Sequence, residues 1–151
     1  MEPLPQVWLV TLSLAVQFAS KAKHVPSRAQ VRRWALAAHG VCTDAEVTIR
    51  YVDEKEGRAL NLAYRHKDYA TNVLTFVHDE SADIVICAPV IWRESREQKK
   101  PVAAHHGHMV IHGLLHAQGF DHETEADAAE METKEIALLK RFRIKNPYEI
   151  E

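Results

Sequence analysis

Cysteine is almost missing from this chain: two residues in 151, Cys42 and Cys87. They stand alone and far apart, match no Cys-x-x-Cys pattern and build no disulfide framework, so they read as reduced, packed thiols of a cytoplasmic protein. An excess of positive charge is missing too. With 19 Lys and Arg against 21 Asp and Glu, the formal net charge is −2, so no global field announces nucleic acid, although a local patch would suffice. Long apolar runs are also absent. The stretch from Val7 to Val16 is preceded only by the charge of Glu2. It lacks the positive flank of a secretion signal and is far shorter than the roughly 20 residues that span a bilayer. A buried first strand, and no membrane partner, are the expectation. Internal repeats, low-complexity tracts and linkers are lacking as well, and the length suits one domain over residues 1–151.

What the chain does have is histidine. Six of its ten histidines lie between His105 and His122. His112 and His116 are four apart, so on a helix they stack on one face. Gly119 can take the left-handed conformation that ends a helix and returns the chain, bringing His122 towards the other two. At 100° per residue, His105, His108, His112 and His116 share a stripe, opposite Val110, Ile111, Leu114 and Leu115. That pattern predicts an apolar face in the core and a histidine stripe lining a cleft. A single helical histidine is usually a satisfied or solvated one. Three at ligand spacing around a glycine turn point to a metal, and three imidazoles with an open fourth position describe a catalytic zinc site, one ion per chain.

Position 113 narrows the chemistry. Zinc proteases place a glutamate general base after the first histidine, as His-Glu-x-x-His. Here the residue is Gly113, so that route to peptide hydrolysis lacks its base. The metal would act by lowering the pKa of its own water or as a Lewis acid on a substrate oxygen. Asp121 and Glu123 are nearby carboxylates that could substitute, and Asp121 could equally orient a histidine or cap the next helix. Gly113, having no side chain, is expected to leave room beside the metal for a bulky strand.

The order of elements is legible from periodicity. A strand over residues 7 to 17 precedes a helix opened by Ser27, which buries Val31, Trp34, Ala35 and Ala38 and stops at Gly40. Val47, Ile49 and Tyr51 mark a second strand. Asp53 is placed to cap a helix over residues 54 to 64. Strands at 72–77 and 83–87 are joined through the link His78 to Ser81, short enough for an antiparallel hairpin. Pro89 starts a short helix, the histidine helix follows from residue 102, and Thr124 to Asp127 form a capping box for a last helix reaching Phe142. This is an α+β order, β-α-β-α-β-β-α-α-α, predicting a mixed four-stranded sheet with about five helices.

The polar stretch Arg65 to Asn72 lies between a predicted helix and strand, where loops present functional groups. Arg65 is singled out because a guanidinium grips phosphate through two parallel hydrogen bonds. Lys67, Arg93, Arg96, Lys99 and Lys100 could extend a basic track, though Arg93 to Lys100 alternates in sign like a solvated helix face. Tyr69 and His66 are candidates for stacking on bases.

Three segments together resemble the YbeY-type endoribonucleases. They are Arg65-x-Lys67-Asp68-x-x-Thr71-Asn72-Val73-Leu74-Thr75-Phe76, Asp83-Ile84-Val85-Ile86-Cys87, and His112-Gly113-x-Leu115-His116-x-x-Gly119-x-Asp121-His122. The resemblance runs from about residue 45 to 140. It implies a zinc-dependent, single-strand-preferring endoribonuclease, a hydrolase of RNA phosphodiester bonds. That enzyme would work on precursor 16S rRNA in 3′-end maturation and in ribosome quality control, with the small ribosomal subunit and assembly factors as partners. By the same resemblance His112, His116 and His122 are the metal ligands and Arg65 the functional arginine. The residues themselves add His108, Asp121, Lys67 and Tyr69 as candidates for supporting or substrate contacts. Two rivals remain: a zinc hydrolase of peptides or small amides, and a non-catalytic ribosome-assembly factor whose metal is structural and closed by a fourth ligand such as His108 or Asp121.

Overall fold

The computed structural model describes residues 12–40 and 45–149. The part of the expected first strand before Leu12, and Cys42, lie outside the described residues. Four strands and five helices follow one another within them: β1 (Leu12–Phe18), α1 (Arg28–Ala38), β2 (Ala45–Val52), α2 (Glu54–Arg65), β3 (Val73–Val77), β4 (Ser81–Cys87), α3 (Ala88–Glu97), α4 (Val102–Ala117) and α5 (Glu125–Arg141). This is the α+β order read from the sequence, and the sheet is mixed. Its strand order is β1-β2-β4-β3. β1, β2 and β4 run parallel, and β3 pairs antiparallel with β4 across a short turn.

Local chemistry explains most of the boundaries. Ser27 caps α1 by accepting the Gln30 N–H, and Thr124 caps α5 by accepting the Asp127 N–H at 3.0 Å. Asp53 stands at the N-cap of α2, but its carboxylate makes no capping bond. It instead accepts hydrogen bonds from the Ser20 hydroxyl and the Lys21 N–H, tying down the segment after β1. β1 differs from expectation in burial: it is an edge strand of alternating half-buried and exposed residues. The inner strands are β2 and β4, and in β4 Ile84 to Cys87 are all buried.

α4 is the helix on which the molecule closes. Val110, Ile111 and Leu114 are wholly buried against the sheet and α1, each such side chain contributing about 1.5–3 kcal/mol. Gly113 faces the same way. A Cβ there would stand 2.8 Å from Cγ2 of Ile84, so the glycine is what lets α4 lie directly on β4. The expectation that Gly113 opens space beside a metal is therefore corrected, because the space it leaves is filled by the sheet.

Candidate metal centre

The C-terminus of α4 builds the centre. Gly119 has φ of +99°, its N–H bonds to the His116 carbonyl, and the Phe120 N–H reaches back to the Leu115 carbonyl. This is the Schellman pair of bonds that ends a helix and reverses the chain. Phe120 returns to the core, and the chain is turned so that His122 meets α4. The His122 N–H is held by Asp121 Oδ1 at 2.7 Å. The ligand nitrogens of His112, His116 and His122 all lie within 4.8 Å of one another, with ring centroids 4.9 to 6.0 Å apart.

A buried carboxylate that sequence reasoning missed lies behind them. Glu135 of α5 is fully buried. It accepts hydrogen bonds from His112 Nδ1 at 2.7 Å, His108 Nε2 at 2.6 Å and the Tyr148 hydroxyl at 2.7 Å. Burial alone would raise its pKa. The bonds from His108 and His112, the charge of His112 and the bond from Tyr148 outweigh burial and hold the carboxyl at about 2. Burial pushes the His108 pKa down, against the pull of Glu135, so a neutral His108 donates to an ionised carboxylate. His112 donating from Nδ1 is fixed in the tautomer whose Nε2 lone pair is free, the arrangement metal-bound histidines use. Burial also lowers the His116 pKa, with help from His112 and His122, and favours the neutral ligand form. The donor set thus fits a metal: three imidazoles at ligand spacing, one of them oriented from behind.

His108 has a different place from the one expected. It shares a face with His112 and His116, but α5 covers that end of the face and His108 is buried on Glu135. His105 is likewise buried, with Nε2 on Glu94 at 2.9 Å. The histidine stripe lines a groove only in its last two members, and His108, His112 and Glu135 form a hydrogen-bonded cluster of their own. Asp121 does not join the three ligand groups. It faces a separate groove with Gln118, Asp127 and Glu130. Glu123 is exposed.

Arg65 is the last residue of α2, one position inside the helix where the sequence suggested a loop. It is exposed, has no carboxylate partner among the described residues, and lines an open groove of about 350 Å³ with His112, His116, His122 and the run Thr71 to Thr75. The groove wall is braced by Asn72. Its Oδ1 accepts the Val73 N–H at 2.7 Å while Nδ2 donates to Glu94 at 3.1 Å. Burial would raise the Glu94 pKa, but the bonds from His105 and Asn72 bring it below the usual range. Lys67 and Tyr69 do not line this groove. Tyr69 opens instead onto a second one with Arg58, Asp68 and Arg93. There Arg58 pairs with Asp68 and Arg93 with Glu54, so of the expected basic track Arg93 is offset by an acid.

The family described as Endoribonuclease YbeY matches residues 16–143. A Thiobacillus denitrificans protein named Endoribonuclease YbeY is 58% identical over 143 residues, covering 91% of this chain and 96% of its own. A namesake from Aromatoleum aromaticum is 54% identical, covering 91% and 92%, and one from Polaromonas is 51% identical, covering 95% and 99%. The solution structure of a Thermotoga maritima protein has the same fold, with a TM-score of 0.55 at 21% identity over 89% of this chain and 99% of that one.

Proposed function

The chain belongs to the YbeY endoribonuclease family, and from that membership we propose that residues 1–151 form one zinc-dependent domain that cleaves single-stranded RNA. Its task is 3′-end maturation of 16S rRNA and ribosome quality control in the cytoplasm, with precursor rRNA, the small subunit and assembly factors as partners. No described helix is long and apolar enough to cross a membrane. The observation that carries the reading is the groove in which an unpaired Arg65 faces three histidines of ligand spacing.

His112, His116 and His122 would hold the zinc ion, which supplies Lewis acidity towards a phosphoryl oxygen. Glu135 holds His112 in register by accepting the hydrogen bond that its Nδ1 donates. Arg65 grips the phosphate and stabilises the charge that grows on it as the bond to the attacking oxygen forms. Either water or the neighbouring 2′-hydroxyl can attack, and the leaving oxygen departs with a proton.

The peptidase reading loses support in two places. A glutamate at position 113 would run into Ile84, and Asp121 spends an oxygen on the His122 N–H while facing another groove. The structural-metal reading lacks a fourth protein ligand among the described residues. The test is incubation of zinc-loaded protein with matched single-stranded RNA, duplex RNA and an unstructured peptide. Cleavage of the single strand alone is expected; cleavage of the peptide alone would reverse the assignment.

A further inference from the structure

One wall of the groove is backbone, and its hydrogen-bonding groups have a direction. β3 is one edge of the sheet, opposite β1. The Cys87 N–H donates to the Asn72 carbonyl at 3.0 Å and the His78 N–H to the Ser81 carbonyl at 2.8 Å. In an antiparallel ladder the residues that bond to the neighbour alternate along the strand. With Leu74 opposite Val85 and Phe76 opposite Asp83, these two bonds assign Leu74 and Phe76 to the β4 side. Val73, Thr75 and Val77 therefore turn their N–H and C=O groups away from the sheet. The Val73 N–H is already taken by Asn72 Oδ1. Within the groove that leaves the Val73 carbonyl, the Thr75 N–H and the Thr75 carbonyl, none of which has a partner among the described residues.

We propose that this outward edge of β3 is a rail that aligns an extended RNA strand and reads its ribose. The inference rests on the reading of the groove as an RNA-cleaving site. The two carbonyls can only accept, so they repel phosphate and select a hydroxyl donor; the 2′-hydroxyl of RNA is one and the 2′-carbon of DNA is not. The Thr75 N–H, between them, donates to a phosphate oxygen, and Arg65 provides a second phosphate contact in the same groove. Two residues along a strand advance about 6.6 Å, close to the length of one extended nucleotide, so the carbonyls fall in step with successive sugars. A free sheet edge could also pair with a peptide strand. The unpaired guanidinium and the threonine hydroxyls at positions 71 and 75 favour the phosphate backbone.

The experiment is a binding scan on the zinc-loaded full chain. A defined single-stranded RNA is given one 2′-deoxy or 2′-fluoro substitution at a time, and affinity is read by fluorescence anisotropy, so that a 2′-hydroxyl nucleophile cannot be confused with a 2′-hydroxyl contact. A loss of about two- to tenfold is expected at one or two neighbouring nucleotides. Thr75→Pro removes the outward N–H without touching the β3–β4 ladder, as an edge strand permits. It is expected to weaken RNA and same-sequence DNA by a similar factor while zinc content and Tm stay unchanged. A flat scan, or RNA and DNA bound equally by the wild type, would overturn the rail, and neither result depends on Thr75→Pro folding. A folded Thr75→Pro protein with wild-type RNA affinity would also overturn it and would leave the edge to a peptide strand. Absence of any RNA cleavage would instead defeat the broader reading, whereas cleavage with a flat scan defeats only this one.

Discussion

Glu135→Gln is the most informative single change behind the metal site. The carboxylate accepts three hydrogen bonds, from His108, His112 and Tyr148, at 2.6 to 2.7 Å. The amide that replaces it has one accepting oxygen, and its NH₂ must face an N–H or O–H donor. At least one of the three bonds is lost, and the ring of His112 is released to the tautomer that puts its proton on Nε2. A bond to a charged group in a buried place is worth about 1.5–3 kcal/mol, which agrees with the 10- to 100-fold that such supporting carboxylates typically contribute to metal affinity. Zinc affinity should therefore fall 10- to 100-fold, measured by competition with a chromophoric chelator. Circular dichroism of the metal-free protein should show the same fold. Tyr148→Phe, which removes one bond at the partly exposed rim, should give a smaller loss of about two- to fivefold and guards against a Glu135→Gln protein that does not fold. Unchanged zinc affinity in both would refute the argument that Glu135 sets the His112 tautomer.

Arg65→Ala and Arg65→Lys should both lower kcat for RNA with zinc content unchanged, lysine restoring only part because it keeps the charge and loses the fork; a defect confined to KM would make Arg65 a binding residue. Gly113→Ala should destabilise the fold by about 1–3 kcal/mol through the clash with Ile84, seen in urea unfolding, and a neutral result would mean that α4 can lift from the sheet at no cost. Acid should weaken the metal-free protein in two stages. Burial depresses the His106 pKa from 6.5 to about 4, so between those values the unfolded chain binds a proton that the folded one does not, and stability falls as pH drops through that window. Glu135, at about 2 against an ordinary 4.5, adds stability that is full above 4.5 and is lost as pH falls towards 2. Urea titrations at pH 7, 5.5 and 4.5 check the sign, and His106→Leu should flatten the upper part of the curve.

The fold order and the three clustered histidines were legible because local signals carry them. A spacing of four, a glycine at the turn and capping residues at Ser27 and Thr124 act within one or two helical turns. Glu135 was not legible because its partners His108 and His112 lie 27 and 23 residues away on another helix. The available hint was an acid in the four-residue repeat of buried positions Met131, Glu135 and Leu139. Gly113 and His108 were misplaced for a related reason. Periodicity tells which residues share a face, but not which part of that face the sheet or α5 will cover. Arg65 moved from loop to helix end by a shift of one residue, within the usual uncertainty of helix ends, and it reaches the groove because β3 and α4 assemble beside it.

The three-histidine cluster is proposed to hold the metal with which RNA is cut. That role is tested most directly by measuring zinc content and single-strand cleavage on the same preparations of wild type and His116→Ala. The expected result is about one zinc per wild-type chain with cleavage abolished by chelation and restored by zinc, and a His116→Ala protein that folds but neither retains zinc nor cuts RNA. A His116→Ala protein that loses its zinc yet cleaves at the wild-type rate would contradict it.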